Sequence, residues 1–112
     1  MSGVQLSRKL VLEHQVEVPD GAGGFSRNWT ALGTLWADLR VGSGRARSGQ
    51  EVALSRVTYR ITVRGAAQGA PSRPAPGQRF VDGTRVFSID AVTEVVPRGA
   101  YLICYAHEEV AL

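Results

Sequence analysis

Arginine is the residue type in this sequence best placed to do chemistry. Arg56, Arg60 and Arg64 recur at every fourth position of RVTYRITVR, and Arg45 and Arg47 lie upstream in the Gly- and Ser-rich run GSGRARSG. A guanidinium is planar, permanently charged and donates through a fixed fork, so it grips phosphate or carboxylate bidentately. Of the 13 basic residues only Lys9 is a lysine. A GC-rich coding sequence favours the same bias, and both causes contribute. The net charge of +3 is too modest to demand nucleic acid as the partner by itself.

Catalytic chemistry finds no such pattern. The histidines, His14 and His107, have no metal-ligand spacing with each other or with Cys104. HEE at His107 lacks the second histidine of a metalloprotease helix and reads as a solvated strand end. His14 reads as a packed or edge histidine. Asp20, Asp38, Asp82 and Asp90 are expected at turns or strand ends, where turn chemistry accounts for most of them. Cys104, in AYLICYA, reads as a small buried hydrophobe. GSGRARSG lacks the Gly-Lys-Ser/Thr ending of a phosphate loop and suits a mobile arginine-bearing segment better. With no nucleophile, base and orienter in view, no enzyme, cofactor or metal is expected.

The elements that position the arginines belong to a small globular chain. Its 112 residues are 44% hydrophobic and 21% charged, which suits one domain over residues 1–112. No apolar run approaches the roughly 20 residues a bilayer helix needs, so no membrane partner is expected. The N-terminal stretch carries no apolar signal core, which makes a cytoplasmic origin the default.

Alternation of apolar and polar residues predicts strands. KLVLEHQVEV places Leu10, Leu12, Val16 and Val18 on one face, and PDGAGG after it is a turn. FSRNW resumes toward Trp29. LGTLWADLRV predicts a second long strand, with Leu35, Ala37, Leu39 and Val41 inward. Trp36 falls on the other face, where a loop or a neighbouring subunit is expected to cover it; of core filler and interface anchor, core is favoured for Trp36 and Trp29 is open. RVTYRITVR is the most regular strand, with Val57, Tyr59, Ile61 and Val63 on one face and the three arginines roughly 13 Å apart on the other. An edge-protecting role explains such charges as well as a partner does. QRFV and RVFSIDAVTEVV flank the hairpin signal DGT, and AYLICYAHEEVAL closes the chain. Two long loops interrupt the strands, residues 42–55 and the proline-rich 65–77. The first, flexible at Gly42, Gly44 and Gly49, holds at most one short helix, with Val52 and Leu54 as anchors. The fold class predicted is all-β, a small barrel or sandwich of five to six mainly antiparallel strands.

In this order the motifs LSRKLVLE, DGAGGFSRNW, LGTLWADLR, GSGRARSGQ, SRVTYRITVR, GQRFVDGTRVFSIDAV and RGAYLICYAHEE resemble the small head-tail joining proteins of long-tailed phages. These head-closure or stopper proteins also occur in gene transfer agents. The resemblance covers nearly the whole chain. The family often carries proline and an acidic residue around the Ser-Gly-Arg, where this chain has Val41-Gly42 and Ala46.

The resemblance implies a β-barrel subunit at the head-tail junction of a particle assembled in the host cytoplasm. It implies a homo-oligomeric ring, hexamer or dodecamer, between the portal-adaptor ring and the tail terminator ring, with double-stranded DNA in its channel. The loop bearing Arg45, Arg47, Ser48 and Gln50 is then expected to face the channel and help retain DNA. Arg8, Lys9, Arg56, Arg60, Arg64, Arg73 and Trp29 are candidates for partner contacts, together with Gly3 to Lys9 and the loop around Ala75. The competing expectation is a free OB- or SH3-like nucleic-acid-binding barrel. That class stacks bases on aromatics of its binding face, and within the Arg56–Arg64 strand the only aromatic, Tyr59, points the other way.

Overall fold

A computed structural model of the chain describes residues 3–43, 57–95 and 100–109. Its strands are β1 (Arg8–Pro19), β2 (Phe25–Ser43), β3 (Thr58–Arg64), β4 (Arg79–Asp82), β5 (Arg85–Val95) and β6 (Tyr101–Glu108). All neighbours are antiparallel, and the sheet closes as a barrel in the order β1-β2-β3-β6-β5-β4. The all-β expectation holds, and no helix occurs among the described residues.

Alternation builds the core. Ile61 and Val63 of β3, Leu102, Cys104 and Ala106 of β6, and Leu10 and Leu12 of β1 are fully buried. Phe80 and Phe87 face each other across the β4–β5 hairpin and fill the same interior. Each such large side chain contributes about 1.5–3 kcal/mol by leaving water. The two-residue turn of that hairpin places Gly83 at φ +62, where a side chain would be strained.

The β1–β2 hairpin is longer than the barrel. β1 pairs with β4 only from Val11 to Glu13, but with β2 along its whole length. Beyond that point His14–Pro19 and Phe25–Thr30 pair only with each other and form a two-stranded arm. PDGAGG is its turn, as predicted. The Asp20 carboxylate accepts from the amides of Ala22 at 2.8 Å and Gly24 at 3.0 Å. Those amides, Ala22 first, hold its pKa below the ordinary carboxylate value.

One extra residue governs the ribbon's faces. Leu12 pairs with Gly33 and Glu13 with Ala31, so Leu32 has no partner and the register shifts. A bulge of this kind reverses the side-chain parity of one strand. Leu35, Ala37 and Leu39 turn inward as predicted, whereas Val41, expected on the same face, is 64% exposed beyond the core, and Trp36 does not belong to the core. Trp36 stands on the outer face and is 53% exposed. Asp38 also departs from expectation. It sits within β2 rather than at a strand end, and is 8% exposed.

Candidate functional site

The first candidate region is the end of the barrel where β2 gives way to β3. Pairing runs from Ala37↔Val63 to Ser43↔Thr58, so the segment between these strands is flanked by two paired residues. Arg45, Arg47, Ser48, Gln50 and Arg56, with Val52 and Leu54, lie outside the described residues. Gly42 was expected to be a flexible part of that segment, but it belongs to β2, at the register shift between Val41 and Ser43. A Cβ there would meet Arg60 Cγ at 3.0 Å and the Thr58 carbonyl at 3.3 Å, so a side chain would crowd the strand pairing.

A polar network braces this end. Arg85 grips Glu108 bidentately, Nε to Oε2 at 2.8 Å and Nη2 to Oε1 at 3.0 Å. The same Nη2 donates to the Tyr59 hydroxyl at 3.3 Å, and that hydroxyl donates to Glu108 Oε1 at 3.3 Å. The Arg85 guanidinium holds the Glu108 carboxyl below its ordinary value. Tyr59 packs edge-on against Phe87, ring centroids 5.1 Å apart, so its ring faces inward as predicted. The network links the start of β3 to β5 and β6.

The second region is the outer face of β3 and β6. Arg60 and Arg64 are exposed there, as their alternation predicts. Their cross-strand partners are Tyr105 and Tyr101, and Thr62 lies opposite Ile103. The lack of aromatics expected for this face therefore holds within β3 but not across the sheet. Tyr101, Ile103 and Tyr105 are all half-buried. The clue was present in AYLICYA, whose small buried Cys104 and Ala106 leave the tyrosines outward. Only strand pairing reveals which arginines they meet.

The chain before β1 lies on its own barrel instead of projecting. The Gln5 amide donates to Asp38 Oδ2 at 3.0 Å, and the Ser7 amide donates to the Ala37 carbonyl at 3.1 Å. Arg40 donates through Nε to Asp38 Oδ1 at 3.0 Å and through Nη2 to the Gly3 carbonyl at 2.9 Å. Arg40 accordingly holds the Asp38 carboxyl below its ordinary value. Gly3, Val4, Gln5 and Ser7 nonetheless remain exposed.

Beside this segment lies an open cleft of about 230 Å³, lined by Leu6, Leu35, Trp36, Arg64, Ala66 and Ser72. Lys9 stands over Trp36, Nζ 5.5 Å from the ring centroid. Arg8 instead pairs with Asp82 at 2.6 Å.

The remaining candidates are tied down within the chain. Arg73 donates to the Ala66 carbonyl at 2.8 Å and pairs with Glu94 at 3.3 Å. Pro74 is buried, and the Ala75 amide donates to Gln78 Oε1 at 3.0 Å, so the proline-rich loop is folded onto the barrel. Trp29 is half-buried beneath Arg79. No group of three His, Cys, Asp or Glu side chains able to hold a metal occurs among the described residues. Cys104 is buried in the core, and that burial pushes its thiol up to about 12. His107 Nδ1 sits 2.8 Å from Asp90 Oδ2 at the surface.

The outer surface thus offers Arg–Tyr pairs, an apolar cleft and a projecting ribbon. These are recognition features for macromolecules. The model of a family described as "Phage head completion protein" matches residues 1–109. A chain in the solved structure "Virion of native gene transfer agent (GTA) particle" is 46% identical, with a TM-score of 0.78. The alignment covers 99% of this chain and 100% of that one. No curated protein matches.

Proposed function

The chain belongs to the phage head completion protein family, and from that premise we propose that it is the head-closure subunit of a phage or gene transfer agent particle. Such a family supplies virion structure, not catalysis. In this reading, copies assemble as a hexameric or dodecameric ring between the portal-adaptor ring and the tail terminator, and the ring helps hold packaged DNA.

The observation that carries the reading is the full-length likeness to a gene transfer agent virion chain at 46% identity. The barrel supports it physically. A closed sheet leaves few free edges and makes a rigid body. Ser43 and Thr58 pair at one barrel end, and the Arg85–Glu108–Tyr59 network stiffens that end. A long segment inserted into a compact barrel is more often functional than idle. In a ring, Arg45 and Arg47 repeat with the symmetry and become a collar of positive potential toward DNA. Arg60 with Tyr105 and Arg64 with Tyr101 supply side-chain types enriched at protein interfaces.

Deleting residues 44–49 tests the DNA-retaining role. Heads carrying the deletion should still accept tails but lose their DNA, measured as nuclease-sensitive DNA released from purified particles. Full particles that leak nothing would remove the gate from the proposal.

A further inference from the structure

Two aromatic side chains stand more than half exposed among the described residues, Phe25 at 65% and Trp36 at 53%. Both lie on the outer face of the β1–β2 ribbon, because the unpaired Leu32 brings odd-numbered Phe25 and even-numbered Trp36 to the same side. Phe25 is at the tip opposite Pro19, and Trp36 is at the root opposite Lys9. At strand rise this separates them by roughly 33 Å. The paired strands between them form one body, so the two groups of one copy cannot meet.

We infer that Phe25 of one copy seats in the Trp36 cleft of the next copy, with the arm's acidic tip against Lys9 and Arg64. This rests on the ring reading above and names its contact. The size is suitable: apolar cavities of about 150 Å³ admit a benzene ring, and the cleft measures about 230 Å³.

Charge points the same way. Lys9 and Arg64 enter no salt bridge among the described residues, nor does Glu17 or Asp20 at the tip. Asp20 is occupied by backbone amides and keeps its negative charge. With Arg27 opposite Glu17 counted, the tip remains net negative, whereas the one charged residue of the cleft lining, Arg64, and the Lys9 over Trp36 are both positive. Two different, complementary patches held apart on one rigid body define a head-to-tail contact, which closes into a ring when its rotation divides the circle.

Photocrosslinking in assembled particles tests this, with p-benzoylphenylalanine in place of Phe25 and the adduct mapped by mass spectrometry. The expected adduct joins position 25 to a second copy of the chain, at Trp36 or Leu6. An adduct to another particle protein, an adduct within one chain, or none at all overturns the docking while the chain's presence in the particles preserves the wider reading. If the wild-type chain is missing from purified particles, both fail. As an independent check, Phe25→Ala, an exposed change that leaves the core intact, should lower incorporation at least about tenfold. Incorporation equal to wild type overturns the contact.

Discussion

The guanidinium carbon of Arg79 stands 4.0 Å from the centroid of the Trp29 ring. Nε of the same guanidinium pairs with Glu13 Oε1 at 2.7 Å. Glu13 is the last β1 residue paired with β4, and Trp29 lies two residues beyond its own partner Ala31. The stack therefore sits where the arm leaves the barrel. It joins β4 to a ribbon that no other strand supports, so the arm's direction depends on it.

Trp29→Ala should loosen the arm without melting the barrel. Loss of the stack and of the half-buried ring costs about 1–2 kcal/mol by chemical denaturation. Amide exchange should quicken across Phe25–Ala31, while Ile61 and Val63 keep their protection. Arg79→Lys retains the charge but loses the planar stack, and should cost less. Equal exchange rates throughout the arm in wild type and Trp29→Ala would dismiss the brace.

Glu108 should give acid-range pH dependence. Its carboxyl is held below the ordinary value, 4.5, chiefly by the Arg85 hydrogen bond. A lowered folded-state pKa stabilises the fold above the unfolded pKa, and that contribution fades as pH falls through the folded value. Wild type should exceed Glu108→Gln by about 1 kcal/mol at neutral pH, since the pair is bidentate but partly solvated. Denaturation between pH 7 and 3 should show the two curves converging on the acid side. Parallel curves would assign the stabilisation to something other than this carboxylate.

Cys104 should be unreactive in the native protein. Burial raises its thiol to about 12, so almost no thiolate exists at pH 8. Iodoacetamide should label it only at the rate of global unfolding, and rapidly in denaturant. Fast labelling of the folded chain would mean that β6 opens locally.

Much of the architecture was legible because strand alternation is a local property. β3 and β6 alternate without interruption, and their inward residues are those the pattern names. The Asp82-Gly83 hairpin and the PDGAGG turn were legible for the same reason, each depending on a few adjacent residues. Trp36 was misjudged because a large aromatic beside apolar neighbours implies burial, and only its surroundings show that nothing covers it. The pairing of Arg60 with Tyr105 and Arg64 with Tyr101 is not legible in the sequence because it joins residues more than thirty positions apart.

From its sequence alone the chain determined an all-β fold, most of its core, its turns and the outward arginines of β3, whereas Val18, Val41 and Val57 alternate with the core residues but are exposed. Each follows from the two-residue period of a strand and from the backbone preferences of glycine, proline and aspartate. The tertiary structure decided the closed strand order, the arm that outruns the barrel, the seat of the N-terminal segment and the shared face of Trp36 and Phe25. These depend on register, and a single unpaired residue such as Leu32 inverts every side chain beyond it. No local pattern marks that residue, because it is defined only by what lies opposite.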